Sequence, residues 1–413
     1  MNTVQEKQSD ALQRNLGRTL WLSFFQVFLI IMPIAVPFFQ SKGLSMQEVF
    51  SLQALFAVAV LVMEVPSGYL ADLLGRKPTL VIGAVFAGIG NTVLLNADGF
   101  AGLALFELCL AISHSLVSGA DIAMAYDSEL ALKRSEAEQQ KVVGKLYSAR
   151  TLSEAMAAFS LSALLLWVDV ERVVQIQAVI GWLPLFLALR LVEPPRRHLA
   201  NSDPAVVAKM PGMGVILRYL WQHSPVLRLC LAALCLWSLT TFNAVWLLQK
   251  LWQTQGVALA HFGYLWGALA LVTAVAGRYA HDVERWFGAS TLLGLIALAP
   301  VVGYLYMDQL GVVGGVLVSV TFFVSRGLGL VVLRDALNRR VPSEFRATAN
   351  SLASFGFRGA FAITGPFVGY AFDLWGMHQT LLMLALASLA IALTIVLPLA
   401  LAIRSARRAP EVY

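Results

Sequence analysis

The chain has 413 residues, 58% hydrophobic and 13% charged, with a net charge of +6 and a mean hydropathy of +0.72. Soluble domains carry about 25% charged residues, so this composition excludes an ordinary water-soluble globule. The three cysteines, Cys109, Cys230 and Cys235, all fall inside apolar stretches, which implies no disulfide framework.

Residues 1–18 are polar. The apolar stretch after them is too long for the core of a signal peptide and lacks a small-residue cleavage site. Twelve apolar segments then follow, near 19–41, 46–70, 78–96, 100–126, 143–168, 172–192, 226–250, 259–280, 289–308, 312–333, 347–373 and 378–402. Each approaches the roughly 20 residues that cross ~30 Å of hydrocarbon at about 1.5 Å per residue. They are apolar all round, as lipid-exposed helices are. Pro33 and Pro37 are expected to bend the first. The longest polar gap, 193–225, opens with Pro194-Pro195-Arg196-Arg197 and reads as a linker between halves at 1–192 and 226–413. Within it, 214–223 has the pattern of a short amphipathic surface helix.

Twenty-four of the 30 lysines and arginines fall in alternate loops and the two termini, against Lys42, Arg172 and Lys250 in the others. Positive charge in short loops marks the cytoplasmic side. Both termini are therefore expected to be cytoplasmic, in an inner-membrane, multi-pass protein. The basic residues follow membrane topology rather than a nucleic-acid surface.

A weak internal repeat connects the halves. An offset of 208 aligns Gly119 with Gly327, Asp127 with Asp335, and Arg150 with Arg358; an offset of 213 aligns Gly43 with Gly256 and Gly75 with Gly288.

Between the second and third segments lies Gly68-Tyr69-Leu70-Ala71-Asp72-Leu73-Leu74-Gly75-Arg76-Lys77, a charged, glycine-bearing turn at the membrane surface. The pattern G-x-L-A-D-x-x-G-R-K, the twelve spans, the central linker and the half repeat together resemble the major facilitator superfamily over essentially the whole chain. The resemblance implies an all-α integral membrane protein, with twelve transmembrane helices in two pseudo-symmetric six-helix bundles and a substrate cavity between parallel halves. It also implies a gate. Asp72 would face the cytoplasmic start of helix eleven, and Arg76 would pair with an acid closing helix four, where Asp127 stands. Such a surface pair breaks and reforms at modest cost. Gly68, Gly75 and Lys77 complete the motif. The second copy is degraded: Arg285 stands opposite Asp72 and Ala289 opposite Arg76.

Glu64-Val65-Pro66-Ser67-Gly68, Tyr126-Asp127-Ser128 and Arg346-Ala347-Thr348-Ala349-Asn350-Ser351-Leu352 resemble bacterial drug or small-molecule efflux members. Two departures stand out. Ser115 occupies the place, four residues before Gly119, where many proton-coupled exporters carry arginine. The glycine–proline antiporter motif is missing from 154–168.

Ionisable residues at membrane depth are functional candidates by default. Glu64, Glu107, His114, Asp121, Arg150, Glu154, Arg326 and Arg358 qualify. Asp121 and Arg150 reach similar depth on antiparallel neighbours, and Arg150 and Glu154 share a helix face. An Asp121–Arg150–Glu154 network is expected, serving either proton coupling or the joining of helices four and five. Glu64 is a further coupling candidate. His114 reads as a hydrogen-bonded core residue or a proton relay. Arg326 and Arg358 suggest a cationic site for an anionic substrate such as a carboxylate, or pairing with acids or carbonyls. Gln26, Trp237, Asn243 and Trp246 supply polar and aromatic groups suited to a substrate cavity.

No H-E-x-x-H, G-x-S-x-G, Walker or CxxC pattern is present, which disfavours an enzyme or primary pump. The expectation is a monomeric secondary transporter in membrane lipid, without cofactor, metal or nucleic acid. It would move a small organic molecule, with proton-coupled efflux as the first reading and an importer or facilitator as the alternative.

Overall fold

Proline at position 33 removes a backbone donor and crowds the carbonyl four residues earlier, and the first apolar segment is accordingly broken. The computed structural model describes residues 2–195, 213–342 and 345–408. In it α1 (Asn2–Gln26) and α2 (Ala35–Ser41) flank an irregular stretch that includes a 3₁₀ turn, Met32–Ile34. Backbone opened at membrane depth needs other partners, and Gln177 supplies them. Its Oε1 accepts the amide of Ile30 at 2.7 Å, and its Nε2 donates to the Phe28 carbonyl at 3.3 Å.

The rest of the first six segments forms α3 (Met46–Leu74), α4 (Arg76–Asn96), α5 (Gly99–Val117), α6 (Ala120–Ala131), α7 (Glu136–Leu164), α8 (Val170–Ile180) and α9 (Leu183–Leu189). The expected fourth span is thus two helices, broken at Ser118–Gly119. Gly119 adopts φ +91°, a conformation that costs an L side chain about 1 kcal/mol or more. Small residues let α4 and α5 pack closely. A Cβ at Gly83 would lie 2.8 Å from Val117, and one at Gly90 would lie 3.0 Å from Cys109.

The second set comprises α10 (Met213–Gln222), α11 (Pro225–Ala232), α12 (Ser238–Thr254), α13 (Leu259–Arg278), α14 (Ala280–Phe287), α15 (Ala289–Tyr306), α16 (Gly311–Asn338), α17 (Arg346–Ile391) and α18 (Leu397–Arg408). One π-turn, Ala233–Trp237, joins α11 to α12, and a second, Ala392–Val396, joins α17 to α18. α17 covers the eleventh span and the start of the twelfth, with a kink at Gly376, φ +79°. α10 occupies the stretch with the amphipathic pattern. Much of the expected linker, 196–212, lies outside the described residues.

Among the described residues, nine helical runs are long and apolar enough to cross a membrane, one of them the kinked run Arg346–Ser405 that holds two spans. The first and fifth expected spans are not among the nine. The first is split by its break, and Arg150, Glu154 and several serines lower the hydropathy of the fifth.

The helices form two compact units. One comprises residues 1–44, 55–203 and 259–267, the other 45–54, 204–258 and 268–413. Within the first, Leu22, Leu80, Val117 and Met124 lie in a buried core, and Ser162 Oγ accepts the Tyr264 amide at 2.9 Å. Within the second, Trp237, Leu292, Ile296, Leu333 and Val396 lie in the main core. There the Asp373 carboxylate accepts the amides of Met46 and Gln47 at 3.0 and 2.7 Å, capping the start of α3.

Candidate functional site

The charged turn of the first unit is built on Gly75. Its φ of +109° places it at the N-cap between α3 and α4, where L side chains are strained. The amides of Arg76 and Lys77 then point out of the helix end, and the two carboxylate oxygens of Glu193 accept them at 2.8 and 2.7 Å. An anion is favoured at this end by the free amides and the helix dipole. Asn15, fully buried in α1, holds Glu193 in place. Its Nδ2 donates to the Val192 carbonyl at 2.7 Å and to Ser128 Oγ at 3.1 Å, and its Oδ1 accepts the Val192 amide at 3.0 Å.

Arg76 is thereby oriented toward two acids. It lies 2.9 Å from Asp72, one turn earlier on α3, and 3.5 Å from Asp127 on α6. The Arg76–Asp127 contact expected from the motif is present, and Asp72 faces Arg76 as well. Gly68 sits inside α3 with open space where a Cβ would project. Neither Glu193 nor Asn15 was singled out from the sequence. Their contacts, from an acid after α9 and an amide within α1, act over 117 and 177 residues.

The second unit preserves the turn with a different arrangement of charges. Gly288 repeats the N-cap conformation at φ +78°, before α15. Around it the charges pair locally: Arg285 with Asp282, and Arg339 with Asp335 at 2.6 Å. His281, Glu284 and Asp335 bring one ligand atom each within 4.8 Å, and the Asp335 carboxylate is engaged by Arg339.

Deeper in the first unit, the break at Gly119 starts a new helix, and Asp121 lies in its first turn. Asp121 is fully buried. Its Oδ1 accepts the Ile122 amide at 2.8 Å, and its Oδ2 accepts from Ser23 Oγ and from the Arg150 guanidinium. A buried carboxylate is tolerable only with such partners. The expected network is thus corrected in one member. Glu154 is exposed, and among the described contacts no ion pair joins it to Arg150; Ser23 from α1 takes the third place. Arg150 and Glu154 lie one turn apart on α7, but the Arg150 guanidinium reaches to Asp121 and the Glu154 side chain is exposed. Glu64 is likewise exposed on α3. Gln26 donates to Ser113 Oγ at 2.7 Å, and that hydroxyl donates to the Gly83 carbonyl at 2.6 Å. The half-buried His114 ring lies 6.0 Å from that of Phe56.

In the second unit, Arg326 of α16 and Arg358 of α17 line one cavity of about 220 Å³, together with Arg334. Trp237 and Trp246, named from the sequence as substrate-cavity candidates, are not among the residues lining this cavity. Trp237 is 2% exposed, packs in the core against Gly329, where a Cβ would lie 2.1 Å from its ring, and donates to the Ile296 carbonyl at 3.3 Å. The π-turn immediately before Ser238 shifts the helix register, so Ser238, Thr241 and Phe242 line the cavity. Asn243 and Trp246 are buried on the same helix, outside that lining.

The sequence profile of the Major Facilitator Superfamily matches residues 19–359. An uncharacterized MFS-type transporter of Burkholderia pseudomallei (strain 1106a) is 27% identical over 344 residues, covering 80% of this chain and 78% of the relative. The fold is similar to that of the nucleoside transporter NupG, with a TM-score of 0.73 at 12% identity, covering 92% of this chain and 98% of that one. It is also similar to a bacterial homolog of the human lysosomal transporter Spinster, with a TM-score of 0.74 at 14% identity, covering 95% and 97%.

Proposed function

The chain belongs to the Major Facilitator Superfamily, and from that premise we propose that it is a proton-driven exporter of a small organic molecule, working by alternating access. Membrane transport by this fold needs no chemistry at a catalytic centre. Proton-driven export needs a gate that exchanges partners and a group that takes up and releases a proton.

The observation that carries the proposal is the buried Asp121, held by Ser23 and Arg150 at the broken end of α6. Protonation of Asp121 would remove its attraction for Arg150 and free the guanidinium, so proton occupancy and helix packing are linked. Discontinuous helices at membrane depth are a recurrent way of building such sites. Arg76, Asp72 and Asp127 act as the gate, breaking their contacts at modest cost because they are partly solvated. The distribution of basic residues supports cytoplasmic termini, and the bacterial relatives support an inner-membrane location.

Vesicles of both orientations, energised by an imposed pH gradient, test this with a panel of labelled carboxylates and lipophilic cations. Export predicts gradient-dependent accumulation in inside-out vesicles, abolished by Asp121→Asn. Accumulation confined to right-side-out vesicles overturns the direction, and accumulation indifferent to the gradient overturns the coupling.

A further inference from the structure

We propose that Asp373 is a releasable latch that holds the start of α3 against α17, and that the membrane face opposite the Arg76 turn opens when this contact lets go. The inference rests on the transport reading only in giving that opening a place in the cycle.

α3 runs 29 residues, about 43 Å at roughly 1.5 Å per residue. Its first turn therefore lies at the membrane face away from Gly75 and Arg76. The free amides at that end are shared between two kinds of partner. Ser45 and Glu48 form a local cap: the Ser45 hydroxyl accepts the Glu48 amide at 3.2 Å, and the Glu48 carboxylate accepts the Ser45 amide at 2.9 Å. This capping box is complete without any distant residue. The amides of Met46 and Gln47 go instead to the Asp373 carboxylate, at 3.0 and 2.7 Å. When Asp373 withdraws, α3 keeps its own cap and loses only its tie to α17.

The tie is close and solvated. Gly369 lies one turn before Asp373 on α17, and a Cβ there would stand 2.5 Å from the Met46 carbonyl oxygen and 2.6 Å from the Gln47 Cα. Glycine is what lets the two backbones approach so nearly. Asp373 itself is exposed, so water takes over its hydrogen bonds on release, at modest cost. The Lys250 ammonium on α12 attracts the same carboxylate and gives it a second partner.

The internal repeat supplies an independent argument. The offset of 213 carries Met46 to Leu259, and these are the first residues of α3 and α13. Residues 45–54 pack with the second unit while the rest of α3 belongs to the first; residues 259–267 pack with the first unit while the rest of α13 belongs to the second. The start of α13 is clasped in the same way. The buried Ser162 hydroxyl accepts the Tyr264 amide at 2.9 Å, and a Cβ at Gly263 would lie 2.0 Å from the Ala158 carbonyl oxygen. Both repeat-related helices are thus held at their first turns by a side-chain acceptor beside a glycine contact. The acceptor on α13 is neutral and buried, whereas that on α3 is charged and exposed, which makes the α3 clasp the one suited to release.

Full-length protein with Cys109, Cys230 and Cys235 replaced by alanine and carrying Val49→Cys, labelled with a polar maleimide in phosphatidylcholine nanodiscs, tests the latch. Val49 is fully buried in the first turn of α3, so its labelling rate reads the opening. Asp373→Ala is expected to raise that rate by about tenfold or more. Asp373→Glu, which keeps the carboxylate, should stay within about threefold of the parent. Ala233→Cys, buried in the main core of the same unit, is the reference and should label no faster in Asp373→Ala. An unchanged rate at Val49→Cys, an equal rise at Ala233→Cys, or Asp373→Glu as fast as Asp373→Ala overturns the proposal. Failure of Asp373→Ala to fold also overturns it, because the Ser45–Glu48 cap would then be insufficient for α3. No gradient or cargo is applied, so failure of proton-driven export leaves this result intact, and unchanged labelling leaves the export reading standing.

Discussion

Glu193 and Arg76 are 117 residues apart, yet the carboxylate of one accepts the backbone amide of the other at 2.8 Å. The contact ties the chain leaving α9 to the first turn of α4, and it aims the Arg76 side chain at Asp72 and Asp127. Glu193→Ala removes an anionic cap from a helix N-terminus and should cost about 1 kcal/mol. Thermal unfolding of the purified protein measures this. Glu193→Gln should recover part of the loss, because its carbonyl oxygen still accepts one amide.

Arg76–Asp127 is a partly solvated ion pair. Asp127→Asn should change stability by less than about 1 kcal/mol while altering transport rate, and the effect should shrink at high salt. Exchanging the two charges should restore part of the rate. A rate that responds to neither change removes the pair from the gate.

Asp121 and Arg150 should behave in the opposite way. Removing either partner leaves a charge without its counterpart at depth, at a cost of about 3–5 kcal/mol. Asp121→Ala and Arg150→Ala should each depress the yield of monodisperse protein. The double substitution Asp121→Asn with Arg150→Gln should recover yield without recovering gradient-driven transport. Recovery of both would make the pair purely structural.

Trp237 is a core residue, so Trp237→Ala should destabilise by about 3–5 kcal/mol. Trp237→Phe should cost less. Thermal unfolding of the purified variants measures both, and equal losses for alanine and phenylalanine would argue against ring packing as the cause.

Glu138 predicts a pH effect at the start of α7. The amide and hydroxyl of Ser135 hold its carboxyl below the ordinary range, completing a capping box. A carboxyl lowered in the folded state stabilises above its unfolded value, and that contribution is lost as pH falls through the lowered one. Glu138→Gln should therefore flatten the acid side of the stability profile and leave the neutral region with a smaller change, as read by thermal unfolding across pH.

Much of this was legible in the residues. The succession of long apolar helices follows from apolar length, and the pairing of Asp121 with Arg150 follows from counting inward from neighbouring loops. The Arg76–Asp127 contact came from a motif. Pro33 and Pro37 announced a bend in the first segment but not its extent, and the break at Ser118–Gly119 was not legible, because hydropathy records side chains, whereas a break depends on a distant group such as Gln177 satisfying the opened backbone. Glu154 misled for a related reason. Sharing a helix face with Arg150 places it near in sequence terms, but α7 turns that position outward. Trp237 and Trp246 carry the same aromatic signal whether they line a cavity or fill a core, and the π-turn before Ser238 decides between the two.

The glycines at 43 and 256, and at 75 and 288, stand 213 residues apart in pairs, all with positive φ. The shared dihedral angles mean that each turn is set by its backbone and not by the charges around it. The bend at Gly288 therefore holds with Arg285 paired to Asp282, as the bend at Gly75 holds with Arg76 between Asp72 and Asp127: one backbone form tolerates two quite different electrostatic surroundings.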